Sequence, residues 1–474
     1  MLADVRRPLQ ALALVLLLSH AVPAAAAAAR PNVLVIETDD QTAADMAAMP
    51  YARAQIGGRG TTFANSVVSL SQCCPSRATL LTGRYAHNHG VLDVRGPLGG
   101  YARLDGSETL PVWLRRAGYA TGVVGKCLNG YSGRAVPPGW GEFHVLPGRS
   151  TYRFYDYALN ENGVLRRFGT APADYQTDVI SGRAEELIRR LPAPWFLWVT
   201  YVAPHVAQPR DVGDPFPLPS TVPAPRHRAA FTGAPMPRGA AFDEADVRDK
   251  PPAIRRRPRL GPKQEARISE TWRQRVASLR AVDEGVARLL GALRAAGARE
   301  DTLVIFTSDN GYLLGEHRVP SGKVLPYEPS IRVPLLMRGP GVPRGAVRRD
   351  LVWNGDLAPT ILEAAGARAP FPLDGRSLLA APRPDRDVLL EAPPARGTNG
   401  LPRFTGLRTR RFTYVEHARG ARELYDLRAD PQQLSNRARD APRGVLRTLA
   451  GRLAELRGCR GVNCRAPAAG ARRP

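Results

Sequence analysis

Lysine is almost missing from this chain: of its 67 basic residues, all but four are arginine. Cysteine is scarce too, with five in 474 residues, and no His or Cys cluster stands beside them at the spacing a zinc site needs. Past the N-terminus no apolar run is long enough to cross a bilayer. No segment repeats. The formal net charge of +24 is not accompanied by any nucleic-acid-binding motif. Arginine is spread throughout an Ala- and Arg-rich chain, which reads as a habit of composition. These absences argue against a membrane-spanning, zinc-stabilised or nucleic-acid-specific protein. The charge would still draw polyanions, sulfated polysaccharide among them.

What is present begins with an export signal. Arg6 and Arg7 precede the apolar residues 11–18, and the alanines at 24–29 offer small-residue cleavage sites. Residues 1–29 therefore read as a secretory signal peptide, and the mature protein as secreted, into extracellular or periplasmic and cell-wall space. In such a compartment Cys459 and Cys464 are expected to form a local disulfide. Cys74 and Cys127 are either buried thiols or a second bridge. The remaining length suits a large domain over 30–377, a smaller α+β one over 378–464, and a disordered tail over 465–474.

Continuous apolar runs mark strands buried on both faces. Such runs occupy residues 33–36, 195–202 and 302–307, and a β-branched run after Tyr119 ends at Gly125-Lys126. Each leads into polar residues: Asp39 and Asp40, His205, Asp309 and Asn310, and Lys126. In open α/β sheets, ligands gather beyond the carboxyl ends of the strands. Adjacent carboxylates repel unless a cation binds them, so the aspartates and Asn310 read as oxygen ligands of a hard metal. Lys126 would hold an anionic ester as a point charge, and His205 would protonate a leaving oxygen. Lys323 lies between the third exit and a strand over 333–337, placed to return to the same cleft. Val276, Leu279, Val282, Val286, Leu289 and Leu293 make one apolar stripe and predict a long helix over 265–296. Asp283 and Glu284 on it are surface or packing carboxylates. Residues 130–175 and the Pro- and Gly-rich 206–262 read as loops lining the substrate entrance.

The organising stretch is residues 71–83, Ser-Gln-Cys-Cys-Pro-Ser-Arg-Ala-Thr-Leu-Leu-Thr-Gly. Pro75 suits the first position of a helix, and Gly83 the left-handed turn that ends one. Cys73 then lies at a helix N-terminus, which favours an anion, with Arg77 about one turn on. The stretch resembles the type I sulfatase signature, Cys-x-Pro-Ser-Arg followed by Leu-Thr-Gly. Only Cys73 has the proline and arginine in register; counted from Cys74 those places hold Ser76 and Ala78. Asp39, Asp40, the Cys73 motif, Lys126, His205, Asp309 with Asn310, and Lys323 come in the order sulfatases use. Asn354-Gly-Asp-Leu-Ala-Pro-Thr-Ile, Asp374-Gly-Arg-Ser and Glu423-Leu-Tyr-Asp-Leu-Arg-Ala-Asp-Pro look like late segments of the same family. The Cys-Cys-Pro-Ser-Arg spelling, the Lys126-Cys-Leu-Asn run and Tyr327-Glu328 are most similar to its N-acetylglucosamine-6-sulfatase and arylsulfatase branch.

The resemblance implies an alkaline-phosphatase-like α/β fold, a large mixed sheet sandwiched by helices with a smaller C-terminal α+β domain. It implies that a formylglycine-generating enzyme oxidises Cys73 to formylglycine. One hydroxyl of the hydrate attacks the sulfur of a sulfated small molecule or carbohydrate. The second lets sulfate leave as the aldehyde reforms. One Ca2+ would be held by Asp39, Asp40, Asp309, Asn310 and the modified Cys73, while Arg77, Lys126 and Lys323 neutralise the transferring group and His205 acts as the acid. Many sulfatases carry a histidine two residues after the lysine. Here that residue is Leu128, followed by Asn129, which leaves His87, His89, His317 or water as the base of the second step. Two other functions would use the same residues: phosphate or phosphonate monoester hydrolysis, and non-catalytic binding of sulfated glycans after loss of the modification.

Overall fold

The apolar run after Pro31 becomes strand β1 (Asn32–Thr38), buried along its whole length. In chain order there follow β2 (Thr61–Phe63), β3 (Ser66–Val67), β4 (Ala120–Gly125), β5 (Glu142–Val145), β6 (Tyr157–Glu161), β7 (Val164–Phe168) and β8 (Trp195–Thr200). Then come β9 (Thr302–Ser308), β10 (Leu335–Arg338), β11 (Ala346–Arg348) and β12 (Val352–Trp353). This computed structural model describes residues 30–211, 213–382, 386–393 and 403–465; the expected signal peptide, and the expected tail after 465, lie outside the described residues.

Ten strands form one mixed sheet in the order β11-β2-β10-β9-β1-β8-β4-β5-β6-β7. β1 runs parallel to both β8 and β9, and β4 parallel to β8 and β5. The register sets Thr38 beside Ser308, and both Glu37 and Gly125 beside Thr200. Four strands therefore finish level along one edge, which is why residues far apart in sequence can meet there. The alternation of β1 fixes that register. Leu34 and Ile36 pack with the long helix Pro262–Ala295, while Val33 and Val35 pack on the other face with Leu80 and Leu81. A slip of one residue would exchange the two sets, and each such side chain contributes about 1.5–3 kcal/mol by burial.

Residues 130–175 are not the plain loop expected. They contain β5, β6 and β7, which extend the sheet by an antiparallel edge. The signal was the pair Asn162-Gly163, both at positive φ (52° and 95°), the two-residue turn of a tight hairpin. The excursion over 206–262 has no strand among its described residues, yet Ala224, Val247, Ile254 and Leu260 are buried, so it is packed down rather than freely exposed.

The C-terminal part is a four-stranded antiparallel sheet of β13 (Asp387–Glu391), β14 (Phe404–Thr409), β15 (Phe412–His417) and β16 (Arg422–Asp426). Helix Arg443–Arg457 covers it through Leu449, Leu453 and Leu456. These residues share a core with Tyr85 and Trp353, whose rings stack at 4.0 Å. Glu423 of β16 accepts from Tyr327, fastening the Lys323 segment to this sheet.

Cys459 and Cys464 are disulfide-bonded, while Cys73, Cys74 and Cys127 are free and buried. Of the two possibilities for Cys74 and Cys127, buried thiols is the one found. The bridge spans a sequence separation of 5, so the loop it closes is short. Replacing Cys464 by serine is expected to lower unfolding stability by about 2 kcal/mol by the chain-entropy relation. Urea denaturation beside the native protein measures it; a loss well above that would mean the bridge also holds the Asp374 contact made by Gly461.

Candidate active site

The helix of the organising stretch runs Cys73–Thr82 and is buried throughout. It starts two residues before Pro75, with Gln72 as an extended N-cap. Pro75 therefore lies inside the first turn rather than at its first position. It does no harm there, because first-turn N–H groups have no acceptor within the helix. Gly83 ends it at φ 64°, as expected.

Cys73 Sγ lies 3.3 Å from Asp39 Oδ1 and accepts from Lys323 Nζ at 2.7 Å. Asp39, Asp40, Cys73 and His205 each offer a ligand atom within 4.8 Å of the others. Asp40 adopts φ 70°, a conformation tolerated by aspartate. That turn aims its N–H at Asp309 Oδ1 (3.1 Å) and its carbonyl at Arg275 (2.5 Å). Asn310 Nδ2 donates to Asp40 Oδ1 at 2.6 Å. Two ammonium groups complete the cluster, Lys126 against Asp39 and Lys323 against Asp40. Arg77 Nε donates to Asp309 Oδ2 at 2.8 Å, and its fork also reaches the Lys126 carbonyl (2.9 Å) and Glu37 (3.4 Å). His205 Nε2 is 3.7 Å from Asp40 Oδ2.

The structure thus brings Asp39, Asp40, Cys73, Arg77, Lys126, His205, Asp309, Asn310 and Lys323 to one buried place. The other three candidate histidines are engaged elsewhere. His89 bonds Thr79 and accepts from the Val91 N–H, and burial pushes its pKa down to about 3. His87 is held by Glu391 and the Cys459 carbonyl. His317 bonds Glu244 at 2.7 Å and packs on Tyr327. Asp283 accepts from the N–H groups of Tyr51 and Ala52, the packing role expected.

Burial would raise both Asp39 and Asp40. For Asp39 the charges of Lys126, His205, Arg77 and Lys323 outweigh it, and for Asp40 those of Lys323 and His205, so both stay below the usual carboxylate range. Burial and repulsion from Asp39 lift Asp309 to about 6, and burial lifts Glu37 to about 8 despite Arg77. The Cys73 thiol is pushed far up by burial and then by Asp39, against the pull of the lysines. As a thiol it is a poor nucleophile. Burial lowers His205, with Asp39 and Asp40 opposing.

Three residues of the site escaped sequence reasoning. Glu37 stood in the acidic run but was given no part. Arg275 is buried in the long helix and donates to both Pro204 O and Asp40 O, joining two strand exits. Its signal was a charge next to the apolar stripe, four positions before Leu279. Tyr152 stacks on His205 at 4.4 Å and came from a stretch with no periodicity at all.

Residues 31–367 match the family model described as Sulfatase, and residues 315–458 the one described as N-sulphoglucosamine sulphohydrolase, C-terminal. An arylsulfatase of Volvox carteri is 34 % identical over 96 % of this chain and 79 % of its own. The N-acetylglucosamine-6-sulfatase of Homo sapiens is 31 % identical over 94 % of this chain and 87 % of its own. An extracellular sulfatase homologue of Caenorhabditis elegans is 38 % identical over 73 % of this chain, which spans only 48 % of that relative. Among solved structures, a protein in complex with its substrate D-glucosamine-2-N,6-O-disulfate superposes with TM-score 0.77 at 24 % identity, covering 90 % of this chain and 97 % of its own. A phosphonate monoester hydrolase of Agrobacterium radiobacter gives 0.68 at 23 %, covering 90 % and 95 %. At these identities the structures establish a shared fold.

Proposed function

The chain belongs to the sulfatase family, and from that premise we propose that it is a secreted hydrolase of sulfate monoesters, acting on sulfated sugars of the 6-O-sulfated amino-sugar or glycosaminoglycan kind. The observation that carries this reading is the meeting of Cys73 with Asp39, Lys126, Lys323 and Arg77 in one buried cluster. Relatives named N-acetylglucosamine-6-sulfatase support the substrate class. Export is supported by the Cys459–Cys464 disulfide and by a relative named extracellular.

The donor set suits calcium. Asp39, Asp40 and Asp309 would offer carboxylate oxygens and Asn310 its amide oxygen. Bound there, the ion would add positive charge where the sulfuryl oxygens lie. Formylglycine made from Cys73 would supply a hydrate hydroxyl as the nucleophile. Because Cys73 is 2 % exposed in the folded chain, the maturation enzyme would have to act before folding ends. Lys126, Lys323 and Arg77 stabilise charge on the group in transfer. Nδ1 of His205 donates to the Val206 carbonyl, so the proton for the departing oxygen is the Nε2 proton of the imidazolium, a form the ester's negative charge beside it favours.

The test pairs chemistry with mass. The mature protein should release sulfate from 4-nitrophenyl sulfate and N-acetylglucosamine 6-sulfate much faster than phosphate from matched phosphate esters. Its Cys73 peptide should carry the mass of formylglycine. Dialysis against EGTA should abolish turnover and added Ca2+ restore it. Preference for phosphate or phosphonate esters would move the assignment to that chemistry. Sulfated-glycan binding with an unmodified Cys73 and no hydrolysis would make the protein a binder.

A further inference from the structure

Among the described residues the His205 ring makes one hydrogen bond, from Nδ1 to the Val206 carbonyl at 2.8 Å. That bond settles the tautomer and leaves Nε2 facing Asp40, but it does not settle the tilt of the ring. Tyr152 stacks on that ring. Its ring lies against the imidazole at 4.4 Å between centroids and 27° between planes. Tyr152 is itself tied at three points. Its hydroxyl accepts from Asn129 Nδ2 at 2.6 Å, and its carbonyl accepts from the Gln208 N–H at 2.9 Å. Lys126 Nζ lies 5.0 Å from its ring centroid, within range of a cation–π contact. Asn129 follows Leu128, the place where many family members carry a histidine. Tyr152 thus joins the exit of β4 to the exit of β8.

We infer that Tyr152 is a positioning residue that aims His205 Nε2 at the leaving oxygen; this rests on the reading of His205 as the proton donor. In that step a hydroxyl oxygen of matured residue 73 bonds to sulfur as the S–O bond to the alcohol breaks, the broken bond's electron pair stays on the bridging oxygen, and that oxygen takes the Nε2 proton. A neutral alcohol and a neutral imidazole result. An acidic phenol leaves well without the proton, whereas a sugar alcohol does not. Misaiming the acid should therefore harm sugar esters and largely spare nitrophenyl esters.

The experiment measures kcat/KM for a series of sulfate esters from 4-nitrophenyl through phenyl to N-acetylglucosamine 6-sulfate, with native, Tyr152→Ala, Tyr152→Phe and His205→Ala enzymes. Ratios between esters within one preparation do not depend on how much of it is folded or matured. For Tyr152→Ala the sugar-to-nitrophenyl ratio should fall about 10–100-fold, a misplacement cost, and for Tyr152→Phe, which keeps the ring, less than about threefold. An unchanged ratio in Tyr152→Ala, or equal falls in both Tyr152 variants, overturns the inference. If the ratio is also unchanged in His205→Ala, the proton-donor reading fails and takes the inference with it. If His205→Ala lowers the ratio and Tyr152→Ala does not, only the inference fails.

Discussion

Serine in place of Cys73 should give a protein that cleaves one ester and then stops, with the serine side chain left sulfated. The substitution is nearly isosteric, so the contacts of residue 73 with Asp39 and Lys323 persist. A serine hydroxyl can attack sulfur and expel the alcohol with help from His205. The product is a sulfate ester on a carbon with no second hydroxyl. A hydrate can expel sulfate by forming a carbonyl; serine cannot, and release then needs water to reach sulfur in a buried site. Steady-state turnover should fall by at least about 10³-fold, equivalent to about 4 kcal/mol. Intact mass after incubation with substrate should show one added sulfo group on the Cys73→Ser protein and none on a Cys73→Ala control. Sustained sulfate release near the native rate, with residue 73 verified as serine, would refute the nucleophile assignment.

The parts of this site visible in the sequence share one physical cause. Strands buried on both faces write themselves as unbroken apolar runs, so β1, β8 and β9 could be read directly, and polar residues just past such runs have few places to go but the sheet edge. Gly83 was readable because only a left-handed turn ends that helix so abruptly. Residues that act through tertiary contact were not visible. Arg275 looks like any helical arginine until the helix is docked on Asp40 and Pro204. Tyr152 sits in a one-turn segment, Gly148–Tyr152, whose position depends on the unread β6–β7 hairpin behind it. His89 carries the right chemistry for a base, but its partners, Thr79 and Val91, belong to local structure. Residue type suggested a role there that only the bonding pattern could deny.

Methionine in place of Arg77 should cost more stability than any other single change in the site, on the order of 3–5 kcal/mol, because it removes one side of a buried charge cluster. Arg77 is wholly buried and bonds Asp309 and the Lys126 carbonyl while facing Glu37 and Asp39. Its guanidinium thereby joins the exits of β9, β4 and β1 to the cysteine helix. The guanidinium carbon lies 6.0 Å from the Trp198 ring centroid, so methionine keeps the length of the apolar stem but gives up that cation–π contact together with the charge. Burial lifts Glu37 to about 8, so it needs less compensation than an ordinary carboxylate. Asp309, at about 6, is mostly ionised and is the group left without its partner. Lysine at position 77 should recover part of the loss, since it keeps the charge but cannot reach Asp309 and the Lys126 carbonyl together. If calcium is bound by Asp39 and Asp309, it shares the work of neutralising them. Urea denaturation should then show a larger gap between native and Arg77→Met proteins in EGTA than in Ca2+. A gap of the same size in both would mean that no divalent cation neutralises those carboxylates, and an Arg77→Met protein as stable as the native one would remove Arg77 from the centre of the cluster.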